Sequence, residues 1–284
     1  MLRHLFIALA ATFAFSAVVP SASAQDAIKP PDYPFSFESP LGGYDMPAVQ
    51  RGFAVYRQIC SNCHSMNALS YRNLGEEGGP FAAYRVRDEA TGEEKMQIGL
   101  HAGQHGRLLD IKDNAYVRAI AAGVQIADID HDTGQPNERP GTPSDHFRAP
   151  FPNETAARAA NGGALPPDLS VITSAREGGA DYVRCILTGY TGQMVGAQYK
   201  NRCFPGGLIS MPPPLSAPDL VHYDDGTNAS VDQMATDVVT FLQWADDPHM
   251  VARKRMGLEV LAYLLILSGL LYFSYKAVWR DEKH

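Results

Sequence analysis

Cys60-Ser61-Asn62-Cys63-His64 is the stretch on which the reading of this chain turns. Residues three and four apart lie on one face of a helical turn, so both thiols can reach the two vinyl groups of one porphyrin while the histidine meets its iron. C-x-x-C-H is the attachment signature for c-type haem. The same cysteines would also suit a thioredoxin-like redox pair or half of a zinc site. Neither accounts for His64, and the sequence holds no second C-x-x-C to complete a zinc site.

The residues leading into the motif predict a helix. Asp45 is placed as an N-cap, Val49, Phe53, Tyr56 and Cys60 recur at helical spacing, and Gly52 leaves room for the close approach of another backbone. A second helix is predicted from Ser230-Val231-Asp232-Gln233, read as a capping box, with Met234, Val238, Phe241 and Ala245 along one stripe. A helix before the motif and another at the end of the domain are similar to the two crossed helices of the cytochrome c fold. Spacing alone fits two unrelated amphipathic helices equally well.

Both ends of the chain read as membrane traffic. Arg3 and His4, an apolar run over residues 5–19, and Ala22-Ser23-Ala24 follow the grammar of a cleaved secretory signal, which gives residues 1–24 as signal peptide. Residues 260–275 carry no charge, and a helix over residues 256–279 would be about 36 Å long, enough to cross a bilayer with some tilt. Tyr272, Phe273, Tyr275 and Trp279 gather at its far end as an interfacial aromatic belt. Basic residues flank both ends of this helix, so the exported signal fixes its orientation. Residues 25–252 become a periplasmic haem domain, 253–279 an anchor with a basic N-terminal flank, and 280–284 a cytoplasmic tail of a bacterial inner-membrane protein. The signal is bacterial in type, without an Arg- and Ser-rich presequence.

The other face of the iron needs a donor, and Met96, Met194, Met211, Met234, His101, His105, His131, His146 and His222 are all available. Met234 is accounted for by its helical stripe. Met211 stands apart because Pro212-Pro213-Pro214 follows it, a stiff extended segment suited to fixing one side chain. Methionine opposite histidine raises the iron potential, which suits electron transfer, whereas an open face suits gas or peroxide chemistry. Cys185 and Cys203, just upstream, are expected to pair in an oxidising compartment and to hold the loop leading to Met211; two free buried thiols are the alternative.

The chain has 24 Lys and Arg against 31 Asp and Glu, and residues 25–252 alone carry a net charge of −11. An acidic domain repels nucleic acid and attracts cationic partners, so no nucleic-acid partner is expected. With 45% hydrophobic residues and four cysteines, the composition excludes a disordered chain and a cysteine-stapled mini-protein. Asp128-x-Asp130-x-Asp132 faintly resembles half of an oxygen-rich calcium loop, but the remaining ligand positions are missing.

In ordered blocks the chain resembles the cytochrome c1 family, the membrane-anchored haem subunits of cytochrome bc1 complexes. The blocks are Tyr33-Pro34-Phe35-Ser36-Phe37, Arg51-Gly52-Phe53-Ala54-Val55-Tyr56, the haem motif with Ser65-Met66, and Ala156-Ala157-Arg158-Ala159-Ala160-Asn161. Further on come Ala164-Leu165-Pro166-Pro167-Asp168-Leu169-Ser170, Leu187-Thr188-Gly189-Tyr190, Met211-Pro212-Pro213-Pro214-Leu215 and Arg253-Lys254-Arg255-Met256-Gly257. The resemblance implies a mainly α architecture, a cytochrome c-like haem domain with long loop insertions plus one C-terminal transmembrane helix. It implies one covalently bound haem c on Cys60 and Cys63, with His64 and Met211 as axial ligands and Arg176 neutralising a propionate. Family members can carry a disulfide near residues 194–210, and matching it to Cys185 and Cys203 is inference.

The implied function is single-electron relay, from the Rieske iron-sulfur protein to a soluble basic cytochrome c, beside cytochrome b in a dimeric complex. No acid, base or nucleophile is expected, so the chain is read as an electron carrier rather than as a catalyst in its own right. Acidic groups such as Glu76-Glu77 and Glu93-Glu94 would steer the basic partner. Two other readings stay open at this point: a membrane-anchored cytochrome c serving a terminal oxidase, and a haem enzyme with an open sixth site.

Overall fold

Pro47 in the first turn, with its φ preset for a helix, starts α1 (Met46–Gln58). Asp45 occupies the cap position, but its side chain makes no capping bond. Val49, Phe53 and Tyr56 are buried as their spacing predicts. At the other end of the domain, Ser230 caps α5 (Val231–Asp246) by accepting the Gln233 N–H at 3.1 Å. Only half of the expected capping box forms, because the Gln233 amide donates instead to Asp237, one turn on, at 3.0 Å. Met234, Val238, Phe241 and Ala245 are all buried. The computed structural model describes residues 28–88, 91–100 and 104–280. The expected signal peptide, His101 and tail residues 281–284 lie outside them.

The two helices cross at Gly52. A Cβ there would overlap the Asp237 carbonyl and the Phe241 side chain, so the contact is backbone on backbone. One residue earlier, Arg51 donates to both oxygens of the fully buried Asp237, at 2.9 and 3.0 Å, and to Asp225 at 2.7 Å. The bidentate pair fixes the helices' rotation about one another as well as their distance. Around the crossing sits the main core, in which Phe53, Tyr56, Phe147 and Phe241 make edge and tilted ring contacts and Trp244 stacks on Phe241.

Between α1 and α5 run three shorter helices, α2 (Ala115–Ala122), α3 (Glu154–Ala160) and α4 (Gly179–Thr188). The segments expected as loops hold three small antiparallel sheets. These are β1 (Ala83–Arg87), β2 (Glu94–Ile98) and β3 (Gly106–Leu108) in the order β2-β1-β3; the hairpin of β4 (Gln125–Ile129) and β5 (Pro136–Pro140); and β6 (Tyr190–Val195), β7 (Gln198–Asn201) and β8 (Leu208–Ile209) in chain order. The architecture is mainly α, with its insertions partly folded into hairpins.

Asp128, Asp130 and Asp132 fall on the β4–β5 hairpin, where local bonds occupy the first two. Asp130 accepts the N–H groups of Asp132 and Thr133, each at 2.9 Å. Asp128 and Asp145 share Arg139. The guanidinium holds the Asp145 carboxyl well below the usual carboxylate range, helped by the Thr142 N–H and hydroxyl. A depressed folded pKa contributes stability above the unfolded value and loses it as pH falls through the folded one. Asp145→Asn should therefore unfold earlier than the parent at about pH 7, with the gap narrowing below about pH 4, as measured by denaturant midpoints across that range.

The last helix, α6 (Met250–Val278), starts six residues before the expected boundary. Met250 is buried in the main core, whereas Val251 and most residues beyond it are exposed. Arg253-Lys254-Arg255 lie within the helix, so this basic run is not a free flank. Arg253 pairs with Asp247, and the Lys254 ammonium donates to the carbonyls of Phe37 (2.6 Å), Ser39 (2.8 Å) and Gly42 (3.3 Å). With 29 residues and a mean hydropathy of 1.9 in its most apolar stretch, α6 is the one helix among the described residues long and apolar enough to cross a membrane.

Candidate functional site

The α-helical ladder of α1 ends at Gln58, and Cys60–Asn62 form a tighter 3-10 turn. The N–H groups of Cys63 and His64 both donate to the Cys60 carbonyl, at 3.1 and 2.9 Å, while Ser61 Oγ and Asn62 Nδ2 tie the turn back to the Arg57 and Gln58 carbonyls. Both motif cysteines are free thiols, and Cys63 is exposed. Burial pushes the Cys60 thiol up to about 12, with Cys63 adding to the effect, so it stays protonated at neutral pH.

His64 is oriented by a segment 103 residues away. Its Nδ1 lies 2.8 Å from the Pro167 carbonyl oxygen. A carbonyl only accepts, so Nδ1 carries the proton and Nε2 keeps a free lone pair. Burial lowers the His64 pKa, which favours this neutral form. Asp168 accepts from Ser65 Oγ and the Asn67 N–H, each at 2.8 Å, and Leu169 N donates to the Ser65 carbonyl at 2.9 Å. Pro167 and Asp168 thus act as positioning residues, a role the sequence reading did not assign. The signal within reach was Asp168-x-Ser170, an Asx turn in which Asp168 Oδ1 accepts the Ser170 N–H at 2.8 Å. Nothing in a single sequence says that this turn clamps the residues after the haem motif.

Met211 sits on a different support. Cys185 on α4 and Cys203 after β7 form a disulfide, with Cα atoms 5.7 Å apart. The bridge lies in a small second core with Ile186 and Ile209, against which Tyr182, Tyr190, Tyr199, Phe204 and Met211 pack. The Tyr190 hydroxyl donates to the Met211 carbonyl at 3.0 Å, and buried Asn201 links the Ile186 carbonyl to the Cys203 N–H. Replacing both Cys185 and Cys203 with Ser should cost about 3 kcal/mol of stability, read as a denaturant midpoint shift.

Of the other candidate donors, Met234 is fully buried in the main core, while Met96 and Met194 are exposed on strands. His105, His131, His146 and His222 are exposed. Arg176, just before α4, is exposed and donates to the neighbouring Ala175 carbonyl at 2.9 Å, and no carboxylate pairs with it among the described residues. Its charge acts on the Tyr182 hydroxyl, on the side of the core that carries Met211. Ile59 and Cys60 at the end of α1 and Val183 and Leu187 on α4 pack against the same main core. Tyr56 adds a buried hydroxyl that has no hydrogen-bond partner among the described residues, and it lies near the Cys60 thiol.

Two free thiols, an imidazole whose Nε2 lone pair is left free by the Nδ1 bond, a thioether on a braced loop and a guanidinium without a carboxylate partner among the described residues fit a haem. On a helical domain with crossed terminal helices, they define a haem-binding electron carrier. The family model described as "Cytochrome C1 family" matches residues 35–282, and the chain belongs to that family. Cytochrome c1 of Rhodospirillum rubrum is 39% identical over 271 residues, covering 88% of this chain and 87% of that protein. The mitochondrial haem protein cytochrome c1 of Kluyveromyces lactis is 38% identical, over 92% of this chain and 80% of its own. Cytochrome b/c1 of Bradyrhizobium diazoefficiens is 41% identical over 89% of this chain, which spans 36% of that longer protein.

Proposed function

We propose that this chain is the electron-transfer subunit of a cytochrome bc1 complex, holding one haem c through Cys60 and Cys63 with His64 and Met211 as axial ligands. When bound, the haem supplies reversible one-electron chemistry. The observation that carries the reading is the bond from His64 Nδ1–H to the Pro167 carbonyl, which leaves Nε2 as the ligating atom and fixes the ring plane. Tyr190 and the Cys185–Cys203 core hold the Met211 loop. Arg176 offers a charge-assisted donor to a propionate, whose burial needs such a partner.

In this reading residues 1–24 are a cleaved signal, 25–252 a periplasmic domain, 253–279 the anchor and 280–284 a cytoplasmic tail. Electrons pass from a Rieske iron-sulfur protein to a soluble basic cytochrome c, steered by the domain's net charge of −11, with cytochrome b as a neighbour in a dimeric assembly. The Lys254 clasp supports a fixed subunit over a carrier on a flexible tether, because only residues 247–249 separate α5 from the anchor helix.

Met211→Leu tests the ligand set. The ferrous variant should bind carbon monoxide, which the parent resists, and its midpoint potential should fall. An unchanged spectrum and potential would remove Met211 from the assignment.

A further inference from the structure

A cavity of about 360 Å³ opens behind the haem-motif turn, and none of Cys60, Cys63, His64, Arg176 or Met211 lines it. Its buried walls are aromatic: Tyr71 stacks on Phe147 at 4.7 Å, and Phe53 meets Phe147 edge-on. Ile120 and Val124 close it from the side of α2. Its exposed lining carries Arg57 and Arg148.

Neither guanidinium has a carboxylate partner among the described residues. Arg57 reaches across to Gly123 at the end of α2, so it spans one wall. Both charges act on the Tyr71 hydroxyl, which places them around the same space; the carboxylate that also acts on Tyr71, Asp145, is engaged by Arg139 at 2.7 Å. Two unpaired guanidiniums at one concavity stand out on a domain whose net charge is −11. Aromatic walls with a few convergent polar groups are the make-up of a small-molecule site, and the volume falls in the usual range.

The position favours a soluble source of the anion over a lipid. Tyr44, just before α1, donates to the Gln243 and Asp247 carbonyls beside the start of α6. The cavity lies at the opposite end of α1, about 20 Å away along its axis.

We propose that this cavity binds a small soluble amphiphilic carboxylate, its charged end between Arg57 and Arg148 and its apolar body against Tyr71 and Phe147. The occupant also meets Ser61 and Asn62, and so touches the turn that carries the haem-motif cysteines.

The test is titration calorimetry on the full chain, purified with its haem in mild detergent. The probes are 2-naphthoate and the neutral, nearly isosteric 2-naphthamide, each corrected for its heat of mixing with detergent alone. The acid should bind with a Kd of about 1 mM or tighter, and the amide at least about tenfold more weakly. Both arginines are exposed, so Arg57→Gln with Arg148→Gln leaves the core intact and should weaken naphthoate at least about tenfold. Val124→Trp, which fills the cavity, should remove binding of both probes. Equal affinity for acid and amide, an unchanged affinity in the arginine double variant, or no binding of naphthoate at about 10 mM would overturn the proposal.

Discussion

The double variant Cys60→Ser with Cys63→Ser is expected to lose covalent haem completely: on a denaturing gel stained for haem peroxidase activity, the parent band is positive and the variant band blank. Two thioether bonds hold the group through denaturation, and hydroxyls do not form them. Each single variant should keep one bond and stain at reduced intensity, because the turn is held by the backbone. The Cys60 carbonyl takes the N–H groups of Cys63 and His64 whatever the side chain at either position. Haem retained by the double variant after denaturation would remove Cys60 and Cys63 from the attachment site.

Gly52 is where a single methyl group should do the most damage to the fold. At an exposed helical position Gly→Ala stabilises by about 1 kcal/mol through helix propensity. Here the added Cβ would run into the Asp237 carbonyl and the Phe241 side chain, and neither is the movable tip of a flexible chain. The helices must separate, which strains the Arg51–Asp237 pair at the same crossing. Gly52→Ala should therefore destabilise by about 3 kcal/mol, and Gly52→Val by more. The sign decides the matter: a gain in denaturant midpoint on Gly52→Ala would mean that α1 and α5 do not meet backbone to backbone.

What was legible in the sequence follows from how local each signal is. The stripe of Val49, Phe53 and Tyr56, the Ser230 cap and the close approach at Gly52 are written in neighbouring residues, and all appear in the structure. The capping box was half wrong because Gln233 had a competing acceptor in Asp237, itself needed for Arg51 on the other helix. The start of α6 was missed by six residues because the basic run at 253–255 reads as a membrane flank. Its charges are instead spent on Asp247, on Glu259 and on three carbonyls near residue 40.

The site divides in the same way. The roles proposed for the thiols, His64 and Met211 come from motif chemistry and the resemblance. Pro167, Asp168 and Tyr190 act through contacts 21 to 103 residues apart in sequence, for which one chain carries no signal. The paired arginines of the cavity belong to this class too, since Arg57 and Arg148 come together only once α1 and the segment after β5 have folded.

The most direct test of the central claim is a reduced-minus-oxidised optical spectrum of the affinity-tagged full chain, purified from membranes in mild detergent. An electron-transfer subunit of a cytochrome bc1 complex predicts a c-type haem signal accompanied by b-type haem, with the c-type signal appearing on addition of a quinol. A preparation without covalent haem, under conditions that preserve membrane complexes, would contradict the account at its root.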